Sequence, residues 1–106
     1  MIYKTSNKKA LEHVGNLQPF QASNMFGKWE GNSYVVYSYG EHFPMYVWDD
    51  KAFMWIGNLD KYSPSTSRQQ SQTKPSKVHK WVDTESLKSI VRDGIVGYCI
   101  DQASNS

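Results

Sequence analysis

Apolar residues recur at helical spacing near both ends of the chain. In Asn7–Gly15 they fall three and four residues apart, and the same spacing follows Asp83. Asp83 is the predicted N-cap of the second segment, and Gly94 is its predicted left-handed stop. The pattern therefore predicts two amphipathic helices, each with an apolar stripe that must be covered.

Between these segments the period changes to that of β-strands. β-branched and aromatic residues fill Ser33–Tyr39, and a Gly-Asn turn joins it to a hairpin partner at Met25–Glu30. Two further short runs follow at Phe43–Trp48 and Ala52–Ile56, and Ile95–Ile100 is predicted to be a last strand. Successive short runs separated by turns are typical of an antiparallel meander.

The predicted fold class is α+β, with a short antiparallel β-meander of three to five strands and two amphipathic helices. A single domain is expected over residues 1–106. Pro44 lacks a backbone donor, so an edge strand is expected there. Residues 57–77 have no hydrophobic period and are predicted to form a long polar loop, and residues 101–106 a flexible tail.

Composition and charge narrow the class of protein. Twelve Lys and Arg stand against ten Asp and Glu, a net charge of +2, which excludes the dense positive surface of a duplex-DNA protein. The single cysteine excludes an intramolecular disulfide and favours a reducing compartment. No apolar run approaches the ~20 residues that span a bilayer. We expect a soluble intracellular protein without a membrane partner.

No catalytic machinery is recognisable. The serines lack a nucleophile elbow, Cys99 lies in an apolar run where a buried hydrophobe is expected, and the histidines are scattered. We therefore predict no catalytic residues, no metal site and no cofactor. One enzymatic alternative stays open: a metal-free ribonuclease in which Glu41, His42 and Arg68 surround a phosphate.

The segment Tyr62–Thr73 is the most specific chemical feature of the chain. It carries hydroxyls, amides and a guanidinium, and no acidic residue stands between Lys61 and Lys80. Such groups hold phosphate and sugar oxygens, although a plain solvated loop has the same composition. The predicted phosphate-binding residues are Lys61, Ser63, Ser65, Thr66, Ser67, Arg68, Gln69, Gln70, Lys74 and Lys77.

Aromatic residues supply a second candidate surface. Strand alternation places Tyr46 and Trp48 on one face, together with Phe53 and Trp55. Such a face either stacks bases or binds a partner when open, or becomes core when a helix covers it. The predicted stacking or interface residues are Tyr37, Tyr39, Tyr46, Trp48, Trp55 and Tyr62.

Two sequence segments resemble a family. Val36–Gly40 (VYSYG) followed by Asp60–Gln70 (DKYSPSTSRQQ) is similar to small uncharacterised tailed-phage proteins, in which VYSYG precedes KYSxTTSxHQ. The likeness covers the chain from Tyr34 to about Gln72. Ser65 stands where Thr is usual and Gln69 where His is usual, so no role of that histidine carries over. The resemblance implies a phage-encoded accessory protein of no particular activity.

The sequence thus favours a non-enzymatic phage-type binding protein, whose ligand is a nucleic acid or nucleotide held through phosphate. The alternative is a protein-directed inhibitor of a host defence or nucleic-acid-processing complex. Either would act in the cytoplasm of the host bacterial cell, as a monomer or homodimer.

Overall fold

The computed structural model describes residues 2–40, 43–61 and 64–104, with side chains within 2–40, 43–61 and 67–100. Seven strands and three α-helices follow one another along these residues. The strands are β1 (Tyr3–Lys4), β2 (Phe20–Gln21), β3 (Met25–Glu30), β4 (Ser33–Ser38), β5 (Pro44–Asp49), β6 (Met54–Asn58) and β7 (Lys80–Val82). The helices are α1 (Ala10–Gly15), which continues a 3₁₀ turn (Asn7–Lys9), α2 (Pro64–Thr73) and α3 (Thr84–Ser104).

The strands form one sheet in chain order, β1 to β7. Neighbours from β2 to β6 are antiparallel, whereas β1 pairs with β2 and β6 with β7 in parallel. Each parallel pair needs a crossover, which contains α1 in the first case and α2 in the second. Both helices lie on one face of the sheet, where they contact each other, as crossovers of the same hand require. Helix α3 packs against β4, β5 and β6 on the opposite face.

The α+β class is confirmed, but the prediction of three to five antiparallel strands is wrong. Strands β1 and β2 have two residues each and β7 has three. Such short strands show no alternation that a pattern could reveal. Pro44 also lies on a central strand rather than an edge; it is tolerated because it begins β5, beside a register shift between Val36 and Tyr37.

Two apolar clusters, one on each face of the sheet, form the core. The cluster beneath α3 consists of Val35, Tyr37, Val47, Ile56, Val82, Leu87, Ile90 and Ile95. The cluster on the α1 face consists of Ala10, Val14, Phe20, Ala22, Met25, Tyr34, Val36, Phe43, Met45 and Tyr46. Strand β4 supplies both clusters and is buried along its whole length, so it is the central strand of the fold.

Helix α3 begins as predicted and ends differently. Asp83 Oδ1 accepts the Ser86 backbone N–H at 2.9 Å, which confirms the cap. Gly94 has φ 80 and ψ 163, but the chain resumes a helix beyond it, because Asp49 Oδ2 accepts the Ile95 N–H at 2.7 Å. The predicted strand Ile95–Ile100 is therefore wrong; a short apolar run suits a helix or a strand equally. The backbone of residues 101–104, predicted as a tail, continues the helix.

The predicted polar loop, residues 57–77, contains the end of β6 and the whole of α2. This helix has no apolar stripe, so its sequence shows no helical period. It contacts the rest of the protein through polar side chains instead: Gln69, Gln70 and Thr73 are all buried.

Candidate functional site

One side of α2 is anchored to the sheet by Gln70. Its Nε2 donates to the carbonyl oxygens of Asn58 at 3.1 Å and Asp60 at 3.3 Å, and Lys61 Nζ lies 3.4 Å from its Oε1. The Tyr46 hydroxyl donates to the Gln70 backbone carbonyl at 2.7 Å, and burial raises the pKa of Tyr46 to about 12. Both polar atoms of this buried side chain are occupied within the protein, so Gln70 serves the fold.

The neighbouring Gln69 is equally buried, at 2% exposed, but only half of its amide is bonded. Its Oε1 accepts a hydrogen bond from Ser38 Oγ, whereas its Nε2 has no partner in the part of the chain that the structure describes. Thr73 Oγ1 donates to the Gln69 backbone carbonyl at 2.8 Å, which helps to fix the residue. Buried polar groups are nearly always paired, so an enclosed N–H without a partner among the described residues is unusual.

Gln69 lines a polar pocket of about 330 Å³ between α2 and the N-terminal 3₁₀ turn. We call it the α2 pocket. Its described lining residues are Ser6, Asn7, Lys8, Ser23, Asn24, Arg68, Gln69 and Gln72. Three separate segments of the chain meet here, because α2 packs on the 3₁₀ turn and on α1. The volume lies at the lower end of the range typical of small-molecule sites, roughly 300–1,000 Å³.

The described lining of the α2 pocket carries two cations and no carboxylate. Lys8 and Arg68 are exposed, and neither forms an ion pair with a described residue. No carboxylate belongs to the described lining. Two cations at one neutral polar pocket attract an anion, and a guanidinium binds phosphate or carboxylate oxygens in bidentate fashion.

A second lining residue, Asn7, also has a buried polar atom without a partner among the described residues. Asn7 Nδ2 donates to Asn24 Oδ1 at 2.8 Å, but the buried Oδ1 of Asn7 has no partner among the described residues. Asn24 Nδ2 lies 3.4 Å from the hydroxyl of Tyr39, a 53% exposed residue with φ 63. Gln69 Nε2 and Asn7 Oδ1 thus both lack a partner among the described residues, and both are enclosed by the protein rather than open to the pocket.

Of the predicted phosphate-binding residues that the structure describes, Arg68 and Gln69 line the pocket and the others do not. Lys61 lies near Gln70, on the anchored side of α2. Lys74 Nζ lies 6.0 Å from the centre of the Trp81 ring. The structure does not describe Tyr62 and Ser63, nor the side chains of Ser65 and Thr66. Lys77 is exposed and Ser67 is half-buried, and neither lines the pocket.

The predicted stacking tyrosines divide into two groups. Tyr37 is 3% exposed beneath α3, and Tyr46 is 1% exposed beneath α2, positions from which neither ring can stack on a bound molecule. Their aromatic rings fill the core instead. Tyr39 is the one described tyrosine of the predicted set that is exposed; it does not line the α2 pocket, but its hydroxyl lies 3.4 Å from the lining residue Asn24.

The sheet face that carries α1 also bears an aromatic row, which consists of Trp29, Tyr34, Trp48 and Trp55. These residues stand directly opposite one another on β3 to β6. Ring centres lie 5.6 Å apart for Trp29–Tyr34, 6.1 Å for Tyr34–Trp55 and 5.7 Å for Trp48–Trp55. Trp29 is 38% exposed and the adjoining Phe53 is 70% exposed, so the row is only partly covered. The predicted shared face of Trp48 and Trp55 is confirmed.

The residues considered for catalysis in the sequence are described only in part. Glu41 and His42, candidates for the ribonuclease alternative, lie outside the described residues. The described residues contain no group of His, Cys, Asp or Glu suited to a metal ion. Cys99, expected to be buried, is exposed on α3.

The sequence interpretation missed six residues that line the pocket: Ser6, Asn7, Lys8, Ser23, Asn24 and Gln72. The adjacent cations Lys8 and Lys9 were a visible signal of a basic N-terminal segment. Nothing in the sequence pattern indicated that this segment meets α2, because the polar segment showed no helical period from which its packing could be inferred.

The chain was compared with family models, with curated proteins and with solved structures, and none of the three comparisons gave a match. Within the described residues, no helix combines the length and the apolar character needed to cross a bilayer. Among the described residues, the α2 pocket and the aromatic row are the two candidate sites of function.

Proposed function

We propose that this protein is a non-enzymatic binding protein whose ligand carries a phosphate group and enters the α2 pocket. One observation carries the proposal: the described lining of this polar pocket holds two cations that form no ion pair with a described residue, and it holds no carboxylate. Hydrogen bonds from such charged donors to a phosphate are roughly twice as strong as those between neutral groups.

The residues divide the work of binding. Lys8 and Arg68 neutralise the phosphate from the exposed rim, and the hydroxyls of Ser6 and Ser23 donate further hydrogen bonds. The likeness of two segments to tailed-phage proteins fits an accessory protein that acts in the cytoplasm of an infected bacterium. A nucleic acid or a nucleotide is the phosphate-bearing partner most abundant there.

The test is calorimetric titration at low ionic strength with two kinds of probe. The first is a mixed-sequence single-stranded DNA dodecamer, and the second is each of the four nucleoside 5′-monophosphates. Replacing Arg68 by Ala should weaken binding about tenfold or more and flatten its salt dependence, because one charged contact is lost.

Two matched variants control for charge alone. Arg92→Ala removes an exposed arginine on α3, which pairs with Asp93 at 3.4 Å, and Lys9→Ala removes the exposed neighbour of Lys8. Both should bind as the unaltered protein does. Absence of binding by every probe, or equal weakening by Arg68→Ala and Arg92→Ala, would reject the proposal.

The aromatic row favours a second candidate, a protein-directed inhibitor of a host complex. Tryptophan and tyrosine are the residues that most often dominate the affinity of protein interfaces, and Trp29 and Phe53 are exposed at the ends of this row. This candidate needs a host protein that co-purifies after nuclease treatment and is lost on Trp29→Ala. Retention of that protein by Trp29→Ala would remove the row from consideration.

A further inference from the structure

We propose that one end of the aromatic row binds an arginine side chain of a partner protein. The residues concerned are Trp48, Asp50, Phe53 and Trp55, which we call the Trp48 surface. This surface shares no residue with the described lining of the α2 pocket, so neither site depends on the other.

Three aromatic rings of the Trp48 surface lie at angles to one another. The ring centre of Trp48 lies 6.1 Å from that of Phe53, with the ring planes at 69°, and 5.7 Å from that of Trp55, with the planes at 57°. Phe53 is 70% exposed, and a planar ring exposed to that extent has at least one open face. The face of an aromatic ring carries partial negative charge, so it attracts a cation.

A carboxylate lies beside these rings. Trp48 Nε1 donates to Asp50 Oδ1 at 3.1 Å, and Asp50 is exposed and forms no ion pair with a described residue. An ionised carboxylate has about four acceptor positions, so one bond from an indole leaves capacity for further donors. The cation–ring contacts among the described residues use other rings, those of Tyr37, Trp81 and Tyr98. The Trp48 surface thus combines a negative charge with an open aromatic face, and no described cation occupies it.

Phe53 is held in a conformation that a phenyl side chain makes costly. Its φ is 53, in the left-handed region that favours glycine. The Phe53 N–H donates to the Asp49 carbonyl at 2.8 Å, which fixes the residue at the end of the β5–β6 turn. Glycine would close this turn with less strain, and little of the ring is buried, so the fold gains little from a phenyl group here. Strained residues of this kind cluster at binding sites.

A guanidinium matches this surface better than an ammonium does. It is planar, so it stacks on a ring face, and its donors form a fork that pairs with a carboxylate. The ammonium of lysine is a compact, strongly hydrated charge that lacks this geometry. From Trp48 the aromatic row continues to Tyr34 and Trp29, which offer apolar contacts next to the cation. The expected partner is therefore a protein segment in which an arginine adjoins apolar residues.

The test is a titration of the unaltered protein followed in ¹H–¹⁵N spectra, with the indole N–H of Trp48 as the reporter. The probes are three capped pentapeptides, Ala-Leu-X-Leu-Ala, in which X is arginine, lysine or citrulline. Citrulline has the shape of arginine without its charge. We expect the arginine peptide to bind at least about tenfold more tightly than the citrulline peptide, and about threefold more tightly than the lysine peptide.

Variants of the Trp48 surface separate its charge from its rings. Asp50→Asn should weaken the arginine peptide about fivefold or more and change the citrulline peptide less than about twofold, because asparagine keeps the acceptor for Trp48 Nε1 but loses the charge. Asp93→Asn is the matched control, since this carboxylate pairs with Arg92 on α3, and it should change neither. Phe53→Leu keeps an apolar side chain but removes the ring, and should weaken the arginine peptide about threefold.

Phe53→Gly tests whether the ring serves the fold instead. The melting temperature should stay the same or rise, because glycine adopts the φ of 53 without strain. A fall in the melting temperature would assign the ring to stability and would contradict its role in binding.

Four binding results would also overturn the inference. They are an unmoved Trp48 indole N–H, equal affinity for the arginine and citrulline peptides, equal affinity for the arginine and lysine peptides, and equal effects of Asp50→Asn and Asp93→Asn. None of these results bears on phosphate binding at the α2 pocket, which is measured with other probes.

Discussion

The two sides of helix α2 differ in how completely their buried glutamine side chains are hydrogen-bonded. Gln69 and Gln70 are adjacent on α2 and equally buried, at 2% exposed each. Gln70 uses both polar atoms of its side chain inside the protein, and Tyr46 bonds to its backbone as well. Gln69 lines the α2 pocket, and its Nε2 has no partner among the residues that the structure describes. Because the two glutamines are equally buried, burial does not distinguish them. They differ in the hydrogen bonds that their side chains form.

The largest expected effect separates the two glutamines by stability. Gln70→Leu should lower the free energy of unfolding by about 2–3 kcal/mol, because the Asn58 carbonyl is left buried and the α2 anchor is lost. Gln69→Leu should cost about 1 kcal/mol or less, because it loses the Ser38 bond but also removes an unpaired N–H. Urea denaturation measures both. Equal losses would mean that the two sides are not different in kind.

The anchored side of α2 can also be destabilised at Gly57, which lies on β6 next to Asn58. A Cβ there would lie 2.5 Å from the Trp81 ring, which packs edge-on to Tyr46 with ring centres 6.0 Å apart. Gly57→Ala should therefore cost about 1–3 kcal/mol through overpacking. Gly15→Ala is the control, since nothing lies within 4 Å of its Cβ position. Thermal unfolding should show a drop for the first variant and none for the second.

Tyr46→Phe removes a single hydrogen bond from the anchored side, the one to the Gln70 carbonyl. The expected cost is about 1 kcal/mol, with ligand affinity unchanged because the pocket side is untouched. A loss of ligand affinity comparable to that of Arg68→Ala would show that the two sides of α2 are coupled.

The same tyrosine predicts an alkaline sensitivity. Burial raises its pKa to about 12, above the ordinary value of about 10, so the neutral form is favoured in the folded protein. Its contribution to stability is complete below pH 10 and is lost as the pH rises through 12. Denaturation at pH 9 and pH 11.5 should show a smaller loss for Tyr46→Phe than for the unaltered chain. Equal losses would exclude Tyr46 as a source.

The smallest effects are expected at the cations of the pocket. Lys8→Ala and Arg68→Ala should change the free energy of unfolding by no more than about 0.5 kcal/mol, because both side chains are exposed and form no ion pair with a described residue. A melting curve that falls by more than this for either variant would give that residue a structural role.

Sequence reasoning recovered the parts of the fold that carry a period or a cap. The hairpin of β3 and β4, the helical segment at Asn7–Gly15 and the cap at Asp83 all depend on neighbours along the chain. Helix α2 was not predicted, because it packs on the protein through polar side chains and its sequence has no apolar stripe at helical spacing. The end of α3 was missed because its second segment is capped by Asp49, which is far away in the sequence.

The candidate site was recovered in part for a similar reason. Arg68 and Gln69 belong to a segment that is conspicuous for hydroxyls and amides without carboxylates. Asn7 and Asn24 are ordinary polar residues, and only the packing of α2 on the 3₁₀ turn gives them a place in the pocket. No local pattern indicates which of two adjacent glutamines will keep a free N–H.

The most direct test follows the side-chain amides of Gln69 and Gln70 in ¹H–¹⁵N spectra of the unaltered protein, as the four nucleoside 5′-monophosphates are added together. We expect the resonances of the Gln69 amide, which lines the pocket, to move with saturation while those of Gln70 stay in place. Movement of neither, or shifts confined to the indole N–H groups of Trp29, Trp48 and Trp55, would show that the nucleotides do not bind at the α2 pocket.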